Sequence, residues 1–391
     1  MSTLATPPSA DRAASMIPVA RPSIGEREEL AVLEVLRSGW ITQGPKVAEF
    51  ERTFSSYIGC RHAIAVSSCT TALQLALLAQ GIGPGDEVIC PSLSFIATAN
   101  SIASTGATPV FADIDLQTYN LDSTHVEALI TERTRAILVV HQIGLAADMD
   151  ALSGIARRHG LPIIEDAACA IGSSYNNELI GRPIGRMACF SFHPRKILTT
   201  GEGGMITTDE DELAERLRRL RQHAMSLSDV ARHNARTIAT ETYDEVGYNY
   251  RMTDMQAAIG LVQLDRLPGF LARRRMLASR YTQALHSLDW LACPTVPANS
   301  EHNYQSYMVR LVEGTPIVRD RIMQVLLEQN ISTRRSIMAI HREAPYRSSH
   351  WEATLPVTNR VTETGFILPL FHEMTEQDQD RVIEALQSIQ L

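Results

Sequence analysis

The sequence predicts an α/β fold: a large domain built on a mostly parallel sheet flanked by helices, followed by a smaller C-terminal α+β domain. Three observations carry this. Short apolar runs alternate with helical patterns from about residue 62 to 208, and such alternation specifies parallel strands covered on both faces. Beyond residue 251 the alternation gives way to one long helical stretch and then a mixed pattern. The chain has 391 residues, 45% hydrophobic and 20% charged, enough to bury a large core without disulfide or metal staples.

The elements follow in order. Residues 1–16 are small, polar and proline-bearing and read as a disordered tail. A helix over 25–38 carries Leu30, Leu33 and Leu36 at helical spacing and stops at Gly39. Strands are predicted at His62–Val66, Glu87–Cys90, Thr108–Phe111, Ala136–Val140, Pro162–Glu165, Met187–Phe192 and Met205–Thr207. Between them lie helices such as Thr71–Gln80, closed by the glycine-rich turn at 81–85, and Asp150–His159, closed by Gly160. Asp209–Met225 is predicted helical, with Leu213, Leu217 and Leu220 on one face and Arg216, Arg218, Arg219 and Arg221 on a solvated one. Asp254–Leu285 reads as one or two long helices, broken or kinked near Pro268. A strand at Tyr307–Leu311 and helices over 317–329 and 375–389 complete the chain. The division expected is a large domain over 17–250, its first residues packing on the small domain, and a small domain over 251–391.

A net charge of −8 argues against nucleic acid as a partner. No apolar run approaches the roughly 18 residues a bilayer span needs, and no basic stretch leads an apolar core at the N-terminus, so a cytoplasmic protein is expected. The six cysteines are scattered without a CxxC pair, as buried reduced thiols would be, and the twelve histidines show no ligand spacing, so no metal site is expected.

Of 36 basic residues only Lys46 and Lys196 are lysine, the other 34 arginine. A codon bias accounts for the depletion, yet a guanidinium never offers a free amine for covalent chemistry. Neither GxxxxGK[ST] nor GxGxxG after a strand occurs, which disfavours P-loop and dinucleotide enzymes. Ser191-Phe192-His193-Pro194-Arg195-Lys196 instead delivers a lysine from a strand into a loop, ahead of the glycine-rich Thr199–Gly204 segment. A surface lysine in a turn fits that spacing equally well. Upstream, Glu165-Asp166 ends a buried strand, and Ser67-Ser68-Cys69-Thr70-Thr71 opens an apolar helix. Capping alone explains either group. Together, an amine, a strand-end carboxylate and a hydroxyl-rich helix start are what pyridoxal phosphate demands.

On these residues the chain resembles the DegT/DnrJ/StrS sugar aminotransferases, a branch of the fold-type I pyridoxal phosphate enzymes. The matching blocks are SGWITQGPKVAEFE (38–51), PSLSFIATANSI (91–102), FADID (111–115), EDAACAIG (165–172), SFHPRKILTTGEGG (191–204), GYNYRMTDMQAAIG (247–260) and ILPLF (367–371). The resemblance implies that Lys196 is the Schiff-base lysine and Asp166 the partner of the pyridine nitrogen. It places Phe95 on the cofactor ring, Cys169 beside the cofactor, and Ser191 with the Thr70-Thr71 pair at the phosphate. Asn249 would reach that phosphate from a neighbouring subunit, making a homodimer, and His341 would approach the sugar. Cys169 stands where many members have Gln, His or Glu, Cys69 replaces a frequent Gly, and Ser336 stands where a Tyr often precedes the substrate-loop histidine. The implied reaction moves an amino group from an amino acid, by analogy L-glutamate, to a keto-sugar linked to a nucleotide. Rival expectations are a cyclitol-ketone aminotransferase, a ring dehydratase on the same fold, and a non-catalytic regulatory protein.

Overall fold

The computed structural model describes residues 16–227 and 240–390. The predicted tail, up to residue 15, lies outside the described residues. All seven predicted strands of the large domain form, within one to two residues of the expected bounds, and they join one seven-stranded sheet. Across the sheet their order is 62–66, 204–208, 187–191, 163–166, 134–140, 87–91 and 108–112. The last five pair in parallel, whereas Gly204–Thr208 runs antiparallel to both of its neighbours. Apolar clusters cover the sheet on both faces, as strands rich in Val, Ile and Ala on both sides require. One cluster is anchored by Phe50, Phe54, Phe190 and Phe192, whose rings meet at 5.2–5.9 Å.

Phe50 and Phe54 come from helix Pro45–Ile58, which the sequence reading passes over. Its start is fixed from far away: buried Asp254 accepts the amides of Gly44, Lys46 and Val47 at 2.8–3.0 Å. Helix Glu26–Ser38 forms with the predicted Gly39 stop, but Leu30, Leu33 and Leu36 face outward. The face it buries carries Val35 and Glu28, because Glu28 meets Arg266 at 2.6 Å and Gln263 at 2.8 Å on the long helix. Helix Asp211–Leu220 is shorter than predicted and buries Leu213, Leu217 and Leu220. Arg221 corrects the expected solvated face: past the helix end it turns inward to Glu51 and to the carbonyl of Ala65.

Asp254–Leu285 is one continuous helix of 32 residues that passes through Pro268. Its first half packs into the large-domain core through Ala257, Leu264, Leu267, Phe270 and Leu271, so that core extends past residue 250. Leu277, Ala278, Tyr281 and Leu285 enter the small-domain core with Tyr307, Phe366 and Leu386. Ile17 belongs to the same small core and pairs with Ile331. The small domain is a four-stranded sheet in the order 291–292, 307–311, 365–368, 334–335, packed by helices Arg319–Glu328 and Glu376–Gln387. No helix among the described residues is long and apolar enough to cross a membrane.

Candidate active site

The site forms where the sheet ends bring three loops together. Val66, Gly204 and Ser191 lie abreast in neighbouring strands, and one strand further on Asp166 sits opposite Cys189. Each residue therefore reaches the same edge of the sheet through a different connection. Gly204 is required there: a Cβ on it would lie 2.6 Å from the Ser68 carbonyl and 2.8 Å from the Cys69 amide nitrogen. That close approach sets Ser191 beside the 68–71 turn.

The turn opens helix Cys69–Ala79, with Ser68 as N-cap. The Ser68 hydroxyl accepts the Thr71 amide at 3.2 Å, and the Thr71 hydroxyl accepts the Ser68 amide at 3.1 Å. Both hydroxyls are thus spent on the cap. The amides of Cys69 and Thr70 have no protein acceptor among the described residues and point from the positive end of the helix. An anion there would meet these two amides and the exposed Thr70 side chain, whereas the Thr71 hydroxyl is already engaged in the cap.

Asp166 is buried; its carboxylate accepts the Ala168 amide at 3.1 Å and the Thr98 hydroxyl at 3.1 Å. Burial pushes its carboxyl up, against the opposing pull of these bonds and of the Lys196 charge. Lys196 follows the strand Met187–Ser191 in a loop whose other end returns at Gly204. Its Nζ donates to Cys169 Sγ at 3.0 Å. Burial pulls the amine down, but Cys169, Cys69 and Asp166 together outweigh it and leave the ammonium favoured. Asp166 and Lys196 thus feel each other's charge from adjacent loops.

Phe95 lies on the loop after strand Glu87–Pro91, its side chain 58% exposed toward solvent, a flat apolar surface of the kind that stacks on an aromatic ring. Asn249 is exposed, one residue before Tyr250, whose carbonyl accepts the Ser67 amide at 2.8 Å. The loop carrying Asn249 is therefore tied to the 67–71 turn. His341 is not placed as expected. It is buried, with Nδ1 2.6 Å from the Ser92 hydroxyl and Nε2 3.0 Å from Asn359 Oδ1, so both ring nitrogens are engaged with the protein rather than free for a substrate. Lys46, the other lysine, lies 3.4 Å from Glu49 and 3.6 Å from Glu34.

Sequence reasoning missed a second set of residues. Gln305 Nε2 donates to the Arg195 carbonyl at 2.7 Å, and its Oε1 accepts the Ile197 amide at 3.0 Å. Asn303 Nδ2 donates to the carbonyls of Cys169 at 2.8 Å and Ile171 at 2.9 Å. Both sit more than 100 residues from their partners, and no local pattern marks them.

Residues 22–387 match the DegT/DnrJ/EryC1/StrS aminotransferase family. The chain is 42% identical over 377 residues to the spore coat polysaccharide biosynthesis protein SpsC of Bacillus subtilis, covering 95% of this chain and 97% of that one. Among solved structures it resembles the aminotransferase TlmJ from Streptoalloteichus hindustanus, with a TM-score of 0.88 and 37% identity over 95% of this chain and 98% of that one. The putative sugar aminotransferase Spr1654 from Streptococcus pneumoniae, in its PMP form, gives a TM-score of 0.89 at 30% identity over 95% and 98% of the two chains. The chain belongs to this family of sugar aminotransferases and is a pyridoxal-phosphate-dependent enzyme with the fold-type I architecture.

Proposed function

We propose, from that membership, that this chain transfers an amino group from an amino acid, L-glutamate by family analogy, to a keto-sugar carried on a nucleotide. The observation that carries the reading is the convergence, at one end of the sheet, of Lys196, whose Nζ lies 3.0 Å from Cys169 Sγ three residues past Asp166, with buried Asp166 and a helix start with free amides. These residues fit pyridoxal phosphate. Lys196 would bind its aldehyde carbon, Asp166 its ring nitrogen, Phe95 its ring face, and the amides of Cys69 and Thr70 with the Ser191 hydroxyl its phosphate. When bound, the cofactor supplies an electron sink that acidifies the α-proton of an amino acid.

The protein's own share of the work follows from its geometry. Lys196 Nζ would serve as the general base that takes the α-proton and gives it back to the cofactor's carbon on the far side of the intervening nitrogen, a role for which its loop must hold the amine steady. Asp166, buried and fed by two donors, would hold a proton on the ring nitrogen through charge attraction. Cys169 Sγ, 3.0 Å from Nζ, is the side chain that receives the amine. Arg195 and Arg334 are both exposed and have no carboxylate partner among the described residues, and Arg195 adjoins Lys196 in the chain. They supply positive charge at the mouth for the diphosphate of a nucleotide-linked sugar or for the donor's carboxylate. By the family resemblance Asn249, exposed on the loop tied to the 67–71 turn, would reach the phosphate of a second copy's site in a homodimer.

The test is a panel of keto-sugar nucleotides and cyclitol ketones offered to the amine-loaded enzyme, following return of the aldehyde absorbance. Lys196→Ala should bind cofactor without turnover. Turnover in that variant, or no response to any nucleotide-linked ketone while a cyclitol ketone reacts, overturns the reading.

A further inference from the structure

The catalytic loop is held by side chains from outside the large-domain sheet. Residues 302–306 connect strand Ser300–Glu301, paired with Ser174–Tyr175 at the large-domain edge, to strand Tyr307–Leu311 of the small domain. Within this connection Gln305 brackets Lys196, donating to the carbonyl on one side of it and accepting the amide on the other. Asn303 instead donates twice to the loop that carries Cys169, to the carbonyls of Cys169 and Ile171, while its Oδ1 accepts the Gln305 amide. Between them Tyr304 adopts φ +52°, a left-handed conformation costly for a bulky residue and kept only where its surroundings over-determine it. The surroundings are plain. Buried Arg274 donates to the carbonyls of Tyr304 and Gln305, both at 2.8 Å, and the His302 and Tyr304 rings stack at 4.2 Å. Gly144 has no Cβ where Asn303 Oδ1 would lie 1.8 Å away, so only glycine lets the strap close.

We propose that Gln305 is a positioning residue for Lys196, and that the strap Asn303–Gln305, pinned by Arg274, fixes the amine against Cys169. A primary amide is the side chain that can complete both a backbone donor and a backbone acceptor, so it substitutes for a missing strand beside the loop. Catalysis by a moving proton depends on the amine's placement to within about an ångström, and an error of that size costs about 10²-fold in rate. The inference rests on Lys196 being the cofactor lysine.

The experiment compares Gln305→Ala and Gln305→Glu with the parent enzyme. Glu keeps the shape and the acceptor but loses the donor. Turnover, donor KM and thermal midpoint are measured on the loaded enzyme. On the cofactor-free chain, the rate of reductive methylation of Lys196 is followed by peptide mass, with Lys46 as internal reference. The expected result for Gln305→Ala is kcat lower by about 10²-fold with donor KM changed by less than about threefold, and faster methylation of Lys196 but not Lys46. Gln305→Glu should fall between. Unchanged kcat, or a loss of kcat that follows the thermal midpoint with Lys196 methylation unaltered, overturns the proposal. If Gln305→Ala does not fold, the same readouts on Gln305→Glu decide it. Methylation needs no turnover, so it judges Gln305 even if Lys196→Ala shows that the cofactor assignment is wrong.

Discussion

Gly204→Ala tests how closely the fold and the cofactor site are joined. The added methyl would lie 2.6 Å from the Ser68 carbonyl, where ordinary contact begins at 3.4 Å, so the start of helix Cys69–Ala79 must retreat by about 0.8 Å. Neither neighbour is a flexible side-chain end; both are backbone atoms of the turn. A retreat of that size takes amide donors from about 2.9 Å beyond the 3.5 Å at which a hydrogen bond fades. Hydrogen bonds to a charged group contribute about 1.5–3 kcal/mol each, and partial loss at Cys69 and Thr70 should cost about 1.5–3 kcal/mol of cofactor affinity. That is a rise in Kd of about 10- to 100-fold. Over-packing should also lower stability by about 1–3 kcal/mol, visible as a drop in Tm of the cofactor-free protein. The assay titrates the cofactor-free chain with pyridoxal phosphate and, separately, with pyridoxal, following absorbance. Only the phosphate-bearing ligand uses the turn. Equal weakening of both ligands, or a phosphate-ligand Kd within about twofold of the parent, would refute the reasoning.

Two further outcomes follow. Asp166→Asn keeps the shape but removes the charge that favours a protonated ring nitrogen, so turnover should fall by at least about 10³-fold while cofactor still binds, checked by single-turnover kinetics with glutamate. Glu28→Ala strips partners from Gln263, Arg266 and the Gly25 amide and should destabilise by about 3 kcal/mol in urea unfolding. The pH arm has a definite sign. Burial raises the Glu28 carboxyl, but Arg266, Gln263 and the Gly25 amide together hold it below the usual 4.5. Its stabilisation is therefore complete above about pH 4.5 and is lost as pH falls through the lower folded value. The parent should lose more stability than Glu28→Ala between about pH 5 and 3, and parallel curves would contradict the assignment.

Much of the fold is legible because buried parallel strands write continuous apolar runs, and Ile163–Asp166 or Thr134–Val140 can be read directly. Lys196 stands out as one of only two lysines, whereas Asp166 gains meaning only in combination with that amine and the hydroxyl-rich helix start. Helix Glu26–Ser38 shows where periodicity misleads: its leucines mark a stripe, but a buried Glu28–Arg266 pair decides which side faces the core. Arg221 and His341 fail for the same reason, since a polar residue's burial is set by a distant partner, Glu51 for one and Ser92 for the other. Gln305 and Asn303 were invisible because their function lies in backbone atoms more than 100 residues away.

The unbroken helix Asp254–Leu285 has a mechanical consequence. At about 1.5 Å per residue its 32 residues make a girder of roughly 48 Å, embedded at one end beneath the catalytic sheet and at the other among Tyr281 and Tyr307. Two lobes joined by a loop can swing; lobes sharing a girder must flex it, and Pro268, which lacks one amide, marks its most compliant point. Arg274 stands six residues past that point, so the brace on the strap is carried by the same helix that joins the two cores.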